Sequence, residues 1–373
     1  MQEMKKRRIV LASVLKPVDD TRMFEKLGTS LAGSGIYEVL IIGYSSRKTV
    51  ESLQNITLSP LLPFKRISLQ RLMAPLKIAL NTIKVKPNVL IVNTHELLIV
   101  GVLNRILFGT KIIYDIRENY WRNILSTNAF PMLVRLPIAL WVRLKEKCLV
   151  RFFDGYFLAE KGYENELRFL QKKITVLENK VSIPKGFIRQ QPADQINLLF
   201  SGTIAESTGV FQAIDLAEKL HELEPSIRLH IIGFCAKAET YQKLIKKIEN
   251  LSFISLTGGN KLVPHELIFE AISKSHFGLI YYPSSPHTHN SIPTKLYEYM
   301  GCLLPILLHD YQPWTELTKP FQASINVDFS NPDSSSILQK MRATQFYTTP
   351  PDNVSWESEE QKLLDAIQKL MFD

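Results

Sequence analysis

Short apolar runs rich in β-branched residues recur along this chain, separated by longer stretches with helical periodicity. In the first half they fall at 9–14, 39–42, 89–92, 111–114, 156–158 and 174–177. In the second half they fall at 197–200, 229–232, 253–256, 278–281 and 305–308. Most of these runs are apolar at consecutive positions rather than at every second one, so both of their faces are expected to be buried. Strands of that kind, alternating with amphipathic helices, predict parallel sheets covered on both sides. The two series are divided by a polar, proline-containing stretch at 183–195 that reads as a linker between domains. The predicted organisation is a first α/β domain over 1–185 and a second over 186–355. A final amphipathic helix within 356–373 is expected to pack back toward the first domain.

Length agrees, since 373 residues suffice for two domains with separate cores. Cys148, Cys235 and Cys302 form no CxxC pair, which suits a reducing compartment and gives no cysteine zinc site. The basic cluster Lys5-Lys6-Arg7-Arg8 precedes an apolar run too short for a secretory leader, and a buried first strand is the expectation. No apolar stretch reaches the roughly 18 residues that span a bilayer. The net charge of +9 is unevenly divided, with residues 1–190 at +16 and the remainder at −7. The first half therefore favours an anionic partner, and no nucleic-acid module is recognisable. An anionic membrane surface or a phosphate-bearing acceptor suits such a charge.

Ligands of open parallel sheets bind beyond the carboxyl ends of the strands. Those ends carry Asn93-Thr94-His95-Glu96, Asp115-Ile116-Arg117-Glu118, Ser201-Gly202-Thr203, Gly233 and Thr257-Gly258-Gly259. The most informative segment runs from Asn290 through Gly301. Pro293 suits the first turn of a helix there and Gly301 its end. Free N–H groups at that helix start suit a diphosphate. Lys295 in the first turn opposes the helix dipole until an anion binds. Glu298 lies on the same face one turn on, where a carboxylate can accept sugar hydroxyls. The competing explanation is a surface Lys–Glu pair. His287 and His289 form a His-x-His pair without an identifiable third ligand, so no metal site is predicted.

Pro293-Thr294-Lys295-Leu296-Tyr297-Glu298-Tyr299 resembles the Pro-x-Lys-x-x-Glu-Tyr signature of retaining GT-B glycosyltransferases of the family-four (group-one) type. The resemblance extends to Phe200-Ser201-Gly202-Thr203 with Gly209, to Leu229–Gly233 as the next strand, and to Thr257-Gly258 with Val263-Pro264-His265-Glu266-Leu267. Pro17–Arg22 and Tyr114–Glu118 are similar to loops on the acceptor side. It implies two Rossmann-like domains facing a central cleft, with a nucleoside diphosphate sugar as co-substrate and no other cofactor. Glu298 would hold the ribose. Lys295 and the amides around Asn290, Ser291 and Ile292 would face phosphate and sugar, and Gly202 and Thr203 would approach the diphosphate. Asp20 and Arg22 are expected on the acceptor side, either paired with each other or touching the acceptor. His95 is expected either to orient the acceptor hydroxyl or to be a hydrogen-bonded structural residue. The implied activity is metal-independent, retaining sugar transfer to a saccharide or lipid-linked acceptor in surface glycan synthesis. A nucleotide-sugar epimerase and a non-catalytic binding subunit are the alternatives.

The chain departs from the family pattern at three points. Asn290 replaces a glutamate common in relatives, and Thr203 and Thr208 replace an arginine and a lysine. Arg117 stands where a histidine is familiar, and its guanidinium is a candidate for the missing positive charge. The run 130–153 alternates leucines with basic residues; such a helix can lie on an anionic bilayer, but most of it is expected to be core, with membrane contact left to the surrounding basic surface. The expected location is cytoplasmic, with peripheral contact at the inner face of the membrane.

Overall fold

A computed structural model describes residues 6–45, 53–62, 64, 68–126, 130–170, 173–283 and 291–372. Two compact units result: Met1–Asn179 with Trp356–Asp373, and Lys180–Ser355.

Among the described residues the first unit holds seven strands: β1 Arg7–Pro17, β2 Tyr37–Tyr44, β3 Ile56–Leu61, β4 Val89–Val92, β5 Lys111–Ile116, β6 Gly155–Leu158 and β7 Ile174–Val176. All pair in parallel in the order β3-β2-β1-β4-β5-β6-β7. The second unit holds β8 Ile196–Thr203, β9 Ile227–Phe234, β10 Ile254–Gly259, β11 Phe277–Ile280, β12 Ile306–His309 and β13 Ser324–Val327. They pair in parallel as β10-β9-β8-β11-β12-β13. Each sheet therefore reverses its strand order once, between β1 and β4 and between β8 and β11. Those are the switch points at which doubly wound sheets open a crevice.

Both faces of each sheet are buried, as the unbroken apolar runs require. Val10, Ala12 and Val14 of β1 join a core under the helices Leu69–Val85, Leu98–Phe108 and Met132–Leu149. Ile9 and Leu11 point the other way, into a core with Met23, Leu27, Leu31, Trp356, Leu363 and Ile367. The last three belong to the end of the chain, so the helix Glu357–Phe372 completes the first unit. Trp356 Nε1 donates to Ser30 Oγ at 2.9 Å, and the buried Glu359 accepts the Glu178 N–H at 3.2 Å. In the second unit Leu198 and Phe200 face one core and Leu199 the other.

Two strands escape the sequence pattern, β3 and β13. Both are sheet edges, and their half-exposed, polar-interrupted sequences (ITLSPL and SINV) lack the two-faced apolar signal. The run 130–153 is the clearest correction. Only Ala139, Val142 and Glu146 of the helix Met132–Leu149 are buried, whereas Leu133, Leu136, Leu140, Trp141 and Leu144 are exposed.

Candidate functional site

Glycines occupy the carboxyl ends of three neighbouring strands in the second unit. Gly202 of β8 pairs with Gly233 of β9, which pairs with Gly258 of β10. At Gly233 φ is +154°, and a Cβ would lie 1.7 Å from the Gly202 carbonyl oxygen. No side chain fits there. Gly202 differs: its φ is +93°, yet a Cβ would meet no atom within 4 Å. Its backbone is bare toward open space, which lets a ligand approach the main chain closely. Beyond it, the Thr208 hydroxyl donates to the Thr203 carbonyl at 2.7 Å and accepts the Ala205 N–H at 3.1 Å. Thr208 thus holds the loop's shape, and Thr203 is left exposed.

The helix Thr294–Gly301 stands beside this row. Pro293 precedes it with φ −60° and ψ 135°, and its side chain makes no capping hydrogen bond to the first turn. Tyr299 locks it to the end of β8, because its hydroxyl lies 2.8 Å from Ser201 Oγ and accepts the Ser201 N–H at 3.2 Å. The ring fits only because residue 278 is glycine, where a Cβ would lie 2.3 Å from it. Ser291 is held ahead of the helix by Trp314, whose Nε1 donates to the Ser291 carbonyl at 2.8 Å. Ile292 packs against the core beneath it. Asn290 and the pair His287 and His289 lie outside the described residues.

Lys295 is only 5% exposed, and its Nζ has no hydrogen-bond partner among the described residues. The ammonium sits 4.3 Å from the centroid of the Phe200 ring and 5.4 Å from that of Tyr282. Burial lowers its pKa to about 8, a fall that the negative charge of Glu298 partly opposes. A buried cation without a hydrogen-bonding anion is costly. Aromatic faces compensate it only in part. Glu298 is steadied from an earlier helix, where His265 Nε2 lies 3.1 Å from its Oε1. His265 opens the helix His265–Ser273 and packs on Phe269 of the same helix. The first-turn cation and its carboxylate neighbour were legible in sequence. The aromatic box of Phe200 and Tyr282, and the His265 prop, were not.

The first unit gathers its polar residues past the ends of β1, β4 and β5. Asp20 and Arg22 do not pair through their side chains. Arg22 is 1% exposed, forks onto Asp115 at 2.7–3.1 Å, and donates to the Leu177 carbonyl and to Asn179 Oδ1. It ties β1, β5 and the end of β7 together from the inside. Asp20 receives the Arg117 guanidinium at 2.6 and 3.2 Å and also caps the turn Thr21–Gly28 through the Arg22 and Met23 N–H groups. Burial alone would raise the Asp20 pKa, but Arg117 overrides it and the net shift is downward. Arg117's charge is thus already matched within its own unit. His95 lies edge-on to Tyr120 at 4.9 Å, and Lys145 Nζ is 3.1 Å from its Nδ1. Burial drives the His95 pKa down to about 4, against the pull of Glu96. The ring is therefore neutral at pH 7, with Nδ1 accepting from Lys145 and the proton on Nε2.

Residues 185–338 match the family model described as Glycosyl transferases group 1. That match lies within the second unit. The match contains the Gly202–Gly233–Gly258 row and both Lys295 and Glu298. Comparison with curated protein sequences gave no match. Solved structures match over nearly the whole chain. A sucrose-phosphate synthase from Thermosynechococcus elongatus superposes with a TM-score of 0.71 at 15% identity, covering 98% of this chain and 99% of that one. The Anabaena protein HepE in complex with UDP and glucose gives 0.64 at 13%, covering 98% and 100%. A putative UDP-N-acetylglucosamine 2-epimerase from Listeria monocytogenes gives 0.62 at 13%, covering 98% and 96%. These likenesses show the fold, two Rossmann-like domains of the GT-B kind.

Proposed function

We propose that the chain transfers a sugar from a nucleoside diphosphate sugar to a saccharide or lipid-linked acceptor in surface glycan synthesis, with retention and without a metal. The observation that carries this is the buried Lys295 ammonium, without a hydrogen-bonding partner among the described residues, at the start of a helix that Pro293 cannot cap and beside the bare Gly202 backbone. An anion seated there removes the cost of the buried charge and meets free backbone N–H groups at once. Departure of a nucleoside diphosphate adds negative charge at that spot, so Lys295 stabilises the leaving group more than the intact donor. Glu298, propped by His265, accepts hydrogen bonds from the ribose hydroxyls. In this reading Lys295 supplies the cation that Thr203 and Thr208 do not, and Arg117 serves to hold Asp20 in place. His95, neutral with its proton on Nε2, orients an acceptor oxygen. In this reading the reaction takes place in the cytoplasm, at the inner face of the membrane.

The test is incubation with a panel of UDP- and GDP-sugars, with and without saccharide and lipid-linked acceptors. Acceptor-dependent transfer is expected, and Lys295→Met is expected to reduce it by about 100-fold or more. Conversion of the free nucleotide sugar without an acceptor would instead make the chain an epimerase. Binding without turnover would make it a non-catalytic subunit.

A further inference from the structure

The helices Leu69–Val85, Leu98–Phe108 and Met132–Leu149 cover one face of the first sheet, the middle one packed against both others. Their amphipathicity is inverted in size. Toward the sheet they present mainly small side chains, Ala74, Ala79, Gly101, Ala139, Val100 and Val142, with Ile78 and Leu98 as the larger ones. Away from it they present large side chains, among them Leu72, Leu76, Ile106, Leu133, Leu136 and Trp141. Leu133 is 92% exposed and Trp141 61%. Of the 26 large apolar side chains exposed among the described residues, 17 lie on these three helices. The second unit provides an internal contrast. Its helices Val210–Leu223, Ala238–Ile248 and His265–Ser273 expose Leu223, Ile245 and Leu267 alone among large apolar residues. A continuous apolar face of that extent marks a surface that is covered in use.

The charges on the three helices say what covers it. They carry eight Lys and Arg residues, of which Arg71, Arg105 and Arg143 are paired with carboxylates, and their single carboxylate, Glu146, is buried. Lys77, Lys84 and Lys147 stand exposed around the leucines. We infer that this three-helix face of the first unit docks on the surface of an anionic lipid bilayer. Leucines and a tryptophan enter the acyl boundary while the rim of lysines meets the headgroups. A second copy of the chain fits poorly, because a two-fold contact would set cations against cations with no exposed carboxylate on the helices to pair them. The inference is independent of the proposed chemistry, since a chain inactive in sugar transfer still binds vesicles through this face.

The experiment is sedimentation of the full chain with vesicles of phosphatidylcholine alone or of phosphatidylcholine with phosphatidylglycerol. Binding to the mixed vesicles is expected, with a blue shift in fluorescence that Trp141→Phe removes. Leu133→Glu/Leu136→Glu, at positions already in solvent, is expected to reduce binding by about tenfold or more while leaving the circular dichroism spectrum unchanged. Lys77→Glu/Lys147→Glu is expected to lower binding to mixed vesicles toward that seen with neutral ones. The inference is overturned if the wild-type chain stays in the supernatant or binds both vesicles equally. It is also overturned if light scattering shows a dimer that the leucine variant dissociates.

Discussion

Lys295 is the residue whose setting most directly ties structure to chemistry. Its folded pKa of about 8 lies below the ordinary lysine value of 10.5, so the native state resists protonation more than the unfolded chain. The penalty is fully present below pH 8 and fades as pH rises from 8 to 10.5. Lys295→Met should therefore raise stability at pH 7 by up to about 3 kcal/mol. It should also flatten the rise of stability across that alkaline window in denaturant titrations, and weaken donor binding by calorimetry less than it slows transfer. A variant that loses stability while keeping donor affinity would show the ammonium to be structural. His95 acts at the other end of the scale. With its pKa held near 4, the unfolded chain takes up a proton first, and stability falls as pH drops from 6.5 through 4. His95→Gln should make the chain less acid-sensitive over that window, read as the midpoint of urea unfolding at each pH. The identity of both residues and their place after a strand were visible in the sequence. Their protonation was not, because it depends on Phe200, Tyr282, Tyr120 and Lys145, which the chain brings in from distant positions.

At the level of elements, the decisive feature is the match between the glycine row and the helix Thr294–Gly301. Three strands must end together without side chains for the main chain to lie open. Gly233→Ala places a methyl 1.7 Å from a backbone oxygen, which neither strand can yield without breaking register. It should leave the second unit unfolded or aggregated, judged by solubility and by loss of the thermal transition. Gly202→Ala meets no atom and faces only the positive φ, a cost of roughly 1–2 kcal/mol. It should fold yet bind a nucleotide sugar at least about tenfold more weakly, since the new methyl occupies the open space. Similar affinity in Gly202→Ala and wild type would remove this backbone from the donor site. The interior strands were legible because a strand buried on both faces is apolar throughout. The edges β3 and β13 were not, since an edge strand is half solvated and its sequence looks like loop.

For the whole molecule, the return of the chain end to the first unit matters most. Trp356, Leu363 and Ile367 are buried against Ile9 and Leu11. Leu363→Ala should cost about 2–5 kcal/mol of that unit's stability, measured by hydrogen exchange on β1 and β2 while the second sheet keeps its protection. No described helix is long and apolar enough to cross a membrane. Sequence alone determined two parallel α/β layers, the polar residues at their strand ends and the Lys295–Glu298 pair on one helix face. Those follow from periodicity and spacing, which are local properties. Only the tertiary structure decided that the Lys295 ammonium is sealed among aromatic rings, or that Arg22 and Arg117 are each matched to an aspartate. It alone decided that the leucines of 132–149 face outward. Periodicity shows that a helix has an apolar side, but whether anything covers that side depends on what the rest of the chain places there.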